Sequence, residues 1–256
     1  MINRLEDAAV PALVDASGLF ETCRVRAGKI LHLKEHLIRL RASLKTAGMG
    51  LEWDETETRR RLRESAWGIS RGYVRIAIRR RGNPKILIHR HLGEAYSKQW
   101  LKHGIAIRTV PTLWPLGESS WAQIKGSERL NGILARVEGG DCPEVLRIGA
   151  HGYLTEGTVS NFFLVKDGVL KTPPGWLGVL EGVTKDRVIQ RARQLGLPVE
   201  TIPLTRHDLF NADEAFLTNV LMGILSIRQV DGRRIGDKIP GPITRRLMRV
   251  ARRERV

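Results

Sequence analysis

Three short stretches of this sequence carry side chains able to do chemistry. Lys125, in IKGSERL, has an amine that becomes a nucleophile when partial burial lowers its pKa, and a lysine in that state forms a Schiff base with a carbonyl compound. Glu156, in YLTEGTVSNFFLV, stands beside Gly157, whose missing Cβ permits an unusual backbone angle. Ser160 and Asn161 offer polar groups just ahead of the apolar run. The step LEGVT at residues 180–184 leads into TKDRVIQRARQLG, where Thr184 can cap a helix and the first-turn N–H groups can face an anion such as phosphate. Each feature also has a plain structural reading: an exposed lysine, a surface turn, a capped helix.

The elements that must hold these residues read as an α+β pattern. LFETCRVR and KILHL flank a turn at Ala27 and Gly28, and HLIRLRASLKTAGM has helical apolar spacing, so a β-hairpin feeding a helix is expected. A basic helix, TRRRLRESAWGI, then leads to the β-like runs YVRIAIRR and KILIHRH around Gly82, Asn83 and Pro84. From Ile105 to Ser120 the sequence turns irregular, punctuated by Pro111, Pro115 and Gly117. The second half reads as a helix (ERLNGILARVEGG), a short EVLRIG segment, a hairpin about Asp167 and Gly168, the helix after Thr184, and β segments at AFLTNV and ILSIRQV. A smaller domain over 1–110, a connection at 111–120 and a larger domain over 121–256 follow, without internal repeats.

Composition agrees with a folded chain of this size. The 256 residues are 42% hydrophobic and 27% charged, enough apolar material for a core. No apolar run approaches a membrane span, and the N-terminus carries acidic residues early and lacks a signal-peptide pattern, so a cytoplasmic protein without membrane contact is expected. Cys23 and Cys142 have no neighbour at metal-ligand or redox spacing, which suits a reducing compartment and implies no metal. The net charge of +16 raises anionic partners, including nucleic acid. Its clusters at Arg59 to Arg63, Arg79 to Arg81 and RRLMRVARRERV lack zinc spacing or an aromatic RNA-binding signature, so they are read as solvated faces.

The order of these segments resembles the class IV aminotransferase family over nearly the whole chain. The likeness runs through LFETCRV, HLIRL, GYVRIAI, IKGSERLNGILARVEG, YLTEGTVSNFFLV, KTPPGWLGVLEGVTKDRVI, DLFNADEAFLTN and VDGRRIGDKIPGPIT. It implies an α/β (α+β), two-domain enzyme with pyridoxal 5'-phosphate in the interdomain cleft, and normally a homodimer. By the family pattern Lys125 is the Schiff-base lysine and proton shuttle, and Glu156 faces the pyridine nitrogen. Arg39 clamps the phosphate with the N–H groups near Val183 and with Thr184, and Asn161 supports this shell. At Val220 relatives often carry a hydroxyl that contributes to the phosphate site.

The family includes branched-chain and D-amino acid aminotransferases and also 4-amino-4-deoxychorismate lyase. Three features look more like the lyase: Thr22 in FET, Arg129 with Leu130 after Lys125, and TNVLMGI from Thr218. Thr22 offers a hydroxyl to the leaving group, where branched-chain enzymes usually have glycine. Tyr73 and Arg75 instead resemble the carboxylate pocket of the branched-chain enzymes. Their small-residue carboxylate-binding turn is replaced here by Asn219, Val220, Leu221 and Met222. The expected reaction is the lyase one, on a small anionic substrate attracted by Arg24 or Arg75, with amino-acid transamination as the alternative. A catalytically silent nucleic-acid-binding or scaffolding protein is the reading from a different class, and it gives no reason for Lys125, Glu156 and Arg39 to occur together.

Overall fold

The computed structural model of the chain describes residues 18–49, 53–79, 85–111, 124–126, 130–149 and 151–253. The N-terminal stretch, the turn at 82–84, Arg80 and Arg81, most of the 111–120 connection, Arg129 and the last residues of the basic tail lie outside them. The chain divides into two compact units. The first runs up to Gly93 and takes in Ile124–Leu130; the second is the remainder. Among the described residues no helix is long and apolar enough to cross a membrane.

In the first unit, β1 (Gly18–Arg26), β2 (Lys29–Ile30), β3 (Arg71–Arg79) and β4 (Lys85–Leu92) form an antiparallel sheet in the order β2-β1-β3-β4. The turn from β1 to β2 places Ala27 and Gly28 at φ 46° and 74°, the paired left-handed conformation that matches the twist of a tight hairpin. Side chains alternate across a strand, so Leu19, Cys23 and Val25 of β1 and Val74, Ile76 and Ile78 of β3 share one core. They are joined there by Leu37, Leu40 and Leu44 of α1 (Leu33–Thr46) and Leu62 and Ala66 of α2 (Glu55–Ala66). Helix α2 begins earlier than its arginine-rich pattern suggests, because Asp54 accepts the Glu57 N–H at 3.0 Å and so satisfies an orphan donor of the first turn. Arg59 and Arg60 pair along this helix with Glu55, Glu57 and Glu64.

The second unit contains α3 (Lys98–His103), β5 (Ile105–Val110), α4 (Leu130–Gly139), β6 (Val145–Ile148), β7 (Leu154–Gly157), β8 (Asn161–Lys166), β9 (Val169–Thr172) and α5 (Val183–Gln194). It continues with β10 (Val199–Thr201), α6 (Arg206–Phe210), β11 (Glu214–Asn219), β12 (Gly223–Val230), β13 (Arg233–Arg234) and α7 (Pro242–Arg253). The strands follow the path β10-β9-β8-β11-β12-β5-β6-β7, with β13 on β12. Because β7 also pairs with β8, through Glu156 and Asn161, the path closes on itself. Alternation along β8 sends Phe162 and Leu164 into one core with Ile105, Ile107, Leu217 and Ile227, and Phe163 and Val165 into another with Val188, Phe216 and Leu247. The stretch from Ile105, expected to be irregular, thus opens with a strand, held by parallel pairing to β12 and β6.

Candidate active site

In the first unit the antiparallel register places Thr22 opposite Arg75 and Arg24 opposite Tyr73. Directly opposed residues share a face, and positions two apart on a strand do too. Thr22, Arg24, Tyr73 and Arg75 therefore form one polar patch on the face of the sheet turned away from α1 and α2. Arg75 donates from Nε to Thr22 Oγ1 at 3.3 Å, so the hydroxyl hydrogen is directed elsewhere. Tyr73 stacks on His91 with ring centroids 4.7 Å apart. Phe20, on the same face, takes the Arg75 guanidinium at 4.9 Å and the Lys125 amine at 5.3 Å from its ring centroid.

Lys125 is held at the side of β1. Its carbonyl accepts the Phe20 N–H at 3.1 Å, and the next residue, Gly126, bridges to Leu19. Its amine lies 3.8 Å from Glu21, and its side chain is 17% exposed, so the lysine is partly buried and paired with that carboxylate. Glu21 points to the helix side of β1, opposite to Thr22, and is buried. It accepts from Arg39 Nε at 2.6 Å and Nη2 at 2.8 Å, and from His36 Nδ1 at 2.8 Å. Burial acts to raise the Glu21 carboxyl, but Lys125, the His36 hydrogen bond and Arg39 outweigh it and hold it far below the usual carboxylate range. Burial lowers His36 against the pull of Glu21, so the ring is neutral and Nδ1 carries the donated hydrogen. Burial, and then the Glu21 charge, push the Cys23 thiol up, which leaves it an inert core residue.

Glu21 and His36 were not singled out by sequence reasoning. The signal was present: in the alternation Leu19, Glu21, Cys23, Val25, a carboxylate occupies a core-facing position, and buried charges are paired. Arg39, expected to clamp phosphate, has its guanidinium oriented by this carboxylate.

In the second unit Glu156 lies in β7, one residue before its end, where the strand path closes. Its Oε2 accepts from Asn161 Nδ2 at 2.9 Å and from the Leu180 N–H at 3.0 Å, while Oε1 accepts from Arg147 Nη2 at 2.9 Å. Asn161 also donates to the Leu180 carbonyl at 2.8 Å, so it ties the carboxylate to the segment entering α5. That segment passes close: a Cβ on Gly182 would lie 2.0 Å from Asn161 Oδ1, so only glycine fits. The turn at 157–160 is organised by buried Glu144, which accepts from the Thr158 N–H at 3.0 Å, Thr158 Oγ1 at 2.5 Å, the Val159 N–H at 3.3 Å and Ser160 Oγ at 3.0 Å.

Thr184 does not cap α5. Gly182 is the N-cap, without a side-chain hydrogen bond, and Val183 and Thr184 are the first two helical residues. The Gly182 carbonyl already accepts the Asp186 N–H at 3.0 Å, the first intrahelical bond, so the helix starts ahead of Thr184, and the Asn161 contact keeps the capping position free of a side chain. First-turn N–H groups without a capping side chain form an anion-binding terminus. At the turn between β11 and β12, Asn219 Oδ1 accepts the N–H groups of Leu221 at 2.9 Å and Met222 at 2.8 Å, and Asn219 Nδ2 donates to Tyr96 Oη at 2.8 Å. Val220 sits in that turn, half-buried.

A family model, amino-transferase class IV, matches residues 18–230. A putative branched-chain-amino-acid aminotransferase of Methanocaldococcus jannaschii is 32% identical, over 92% of this chain and 86% of its own length. Among solved structures, an Escherichia coli branched-chain amino acid aminotransferase superposes with a TM-score of 0.86 at 27% identity, covering 93% of this chain and 85% of that one. A putative 4-amino-4-deoxychorismate lyase of Legionella pneumophila does so with a TM-score of 0.85 at 25% identity, covering 94% and 92%.

Proposed function

We propose that this chain, which belongs to the class IV aminotransferase family and is a pyridoxal-phosphate enzyme, acts as a lyase on 4-amino-4-deoxychorismate, giving 4-aminobenzoate and pyruvate. The side chains fit the cofactor by the chemistry of the donor set. A partly buried lysine amine matches an aldehyde, the buried Glu156 carboxylate matches a ring nitrogen, and the α5 terminus, with no side-chain cap, matches a phosphate. Lys125 is the residue that would hold the aldehyde carbon, Glu156 the ring nitrogen, and Val183, Thr184 and Arg39 the phosphate, with Asn161 fixing Glu156. When bound, the cofactor supplies an electron sink for the carbon that bears the substrate amine.

Lys125 takes the proton from that carbon as general base. The Thr22 hydroxyl, whose oxygen already accepts from Arg75, passes a proton to the departing ether oxygen and regains one from the proton that Lys125 took, so both side chains return to their starting states. The bond from that oxygen to the ring carbon breaks, the six-membered ring becomes aromatic, and the released enol becomes pyruvate. Arg24, Arg75 and Tyr73 receive the carboxylates of the substrate.

The observation that carries the choice is the turn after β11. The N–H groups of Leu221 and Met222 are occupied by Asn219 Oδ1, so the backbone there offers a substrate carboxylate no ready donors of the kind the aminotransferase turn uses. Incubating the cofactor-loaded protein with 4-amino-4-deoxychorismate should release both products in equal amounts, and Lys125→Ala should release neither. A loaded protein that releases neither but converts amino acids and 2-oxoglutarate would establish transamination instead. That second reading is favoured by the likeness to the Methanocaldococcus protein and by the Tyr73 and Arg75 pair.

A further inference from the structure

Arg147 is a buried cation with no part in the reaction as described above. It lies in β6 where the pairing with β7 slips by one residue, between Leu146 opposite Gly157 and Ile148 opposite Leu154. Its side chain is 1% exposed. A guanidinium stays charged in proteins, and a buried charge is costly unless it is matched and hydrogen-bonded. Here the match is Glu156. Arg147 donates from Nη2 to Oε1 at 2.9 Å and from Nε to the Glu156 carbonyl at 3.4 Å, and its own carbonyl accepts from Thr155 Oγ1 at 3.1 Å.

This arrangement changes what Glu156 can do to a ring nitrogen. A carboxylate held only by Asn161 and the Leu180 N–H would keep a full negative charge in a buried place, and a protonated ring nitrogen would be its natural counter-ion. With Arg147 in place the pair is already neutral. A protonated ring would then add a net positive charge to a poorly solvated site, against the field of the guanidinium. We propose that Arg147 is a positioning residue that acts through Glu156 to weaken the hold of the bound cofactor's ring nitrogen on its proton, and so moderates the electron sink. A weaker sink leaves more negative charge on the substrate carbon. That favours expelling a leaving group from the adjacent carbon over adding a proton at the cofactor carbon. The inference rests on the reading of Glu156 given above.

The test uses holoenzyme loaded with pyridoxal phosphate carrying 15N in the ring, whose nitrogen chemical shift reports protonation directly across a pH series. Arg147→Gln keeps a donor for Oε1 and removes the charge; Arg147→Met removes both; Arg147→Lys keeps the charge. The nitrogen should stay protonated to a pH higher by about one unit or more in the Gln and Met variants than in the unaltered protein, with the Lys variant close to the latter. The Gln variant preserves the test if the Met variant does not fold. Coincident titrations in the unaltered protein and Arg147→Gln would overturn the inference, leaving Arg147 as a strand-closing ion pair. Glu156→Gln run beside them separates the two ideas: if it leaves the nitrogen signal unchanged, Glu156 is not the ring partner and the reading beneath the inference falls with it.

Discussion

The Lys125 amine stands 3.8 Å from the buried carboxylate of Glu21, which also binds the Arg39 guanidinium through both oxygens. One anion thus links the lysine proposed to carry the cofactor with the arginine proposed to hold its phosphate, and it does so from the core side of β1. Both cations are drawn from outside the strand, so this carboxylate orients two working groups without touching the face that carries Thr22 and Arg75.

Replacing Glu21 by Gln should leave Arg39 and Lys125 without their shared anion and destabilise the protein by about 3 kcal/mol, the scale for breaking one side of a buried ion pair. The pH dependence has a definite sign. The Glu21 carboxyl is depressed below its ordinary 4.5, so its contribution is complete above that value and is lost as pH falls below it. His36 is depressed below 6.5; the unfolded chain therefore binds that proton first, and stability also declines as pH drops through 6.5. Urea denaturation over a pH series should show a decline that begins near 6.5 and steepens below 4.5, with the steep part reduced in Glu21→Gln. An unchanged acid limb would remove Glu21 from the account.

Thr22→Val keeps the shape of the side chain and the strand propensity while deleting the hydroxyl. If Thr22 protonates the leaving oxygen, lyase kcat should fall about 100-fold, the lower range for general-acid assistance, and Thr22→Ser should recover most of it. Cofactor absorbance should be unaffected in both. Equal rates in Val and Ser variants would make Thr22 a strand residue and no more.

Much of this arrangement is legible in the sequence. Alternation in LFETCRVR and YVRIAIRR, the helical spacing of HLIRLRASLKTAGM and the hairpin at Asp167 and Gly168 are local signals, and these segments form β1, β3, α1 and the turn from β8 to β9. What escaped depends on pairing between distant segments. β5 ends at Val110, just before Pro111, and its stretch reads as a loop, yet Ile105 and Ile107 are core residues because β12 and β6 flank them. Glu21 and Arg147 are charged residues in apolar strands, and only the register shows that the partners are Arg39 with His36 in one case and Glu156 in the other. Thr184 reads as a cap because nothing in LEGVT shows that the first intrahelical bond already runs from the Asp186 N–H to the Gly182 carbonyl.

Asn219→Ala should act on two readouts. Loss of the acceptor for the Leu221 and Met222 N–H groups and of the donor to Tyr96 should cost about 1 to 3 kcal/mol. With those N–H groups released, slow transamination of amino acids should rise relative to lyase turnover. A stability loss without any change in that ratio would mean that the turn is structural and does not decide the reaction.

Glu144 tests how far the site depends on the residue that holds the turn at 157–160 together. Four donors from Thr158, Val159 and Ser160 converge on its carboxylate, and the turn they form separates Glu156 from Asn161. Gln at this position replaces one accepting oxygen with an NH2 that faces donors, so at least one of those groups loses its partner; the expected cost is about 2 to 4 kcal/mol. Gly157→Ala attacks the same turn sterically, since its Cβ would lie 2.2 Å from Ser160 Oγ and 3.1 Å from the Glu144 carboxyl. Both variants should release bound pyridoxal phosphate faster, measured as loss of visible absorbance on dilution, because Glu156 no longer holds its place at the strand closure. Unfolding midpoints that fall while cofactor release stays unchanged would show that Glu156 is positioned by Arg147, Asn161 and Leu180 without help from the turn.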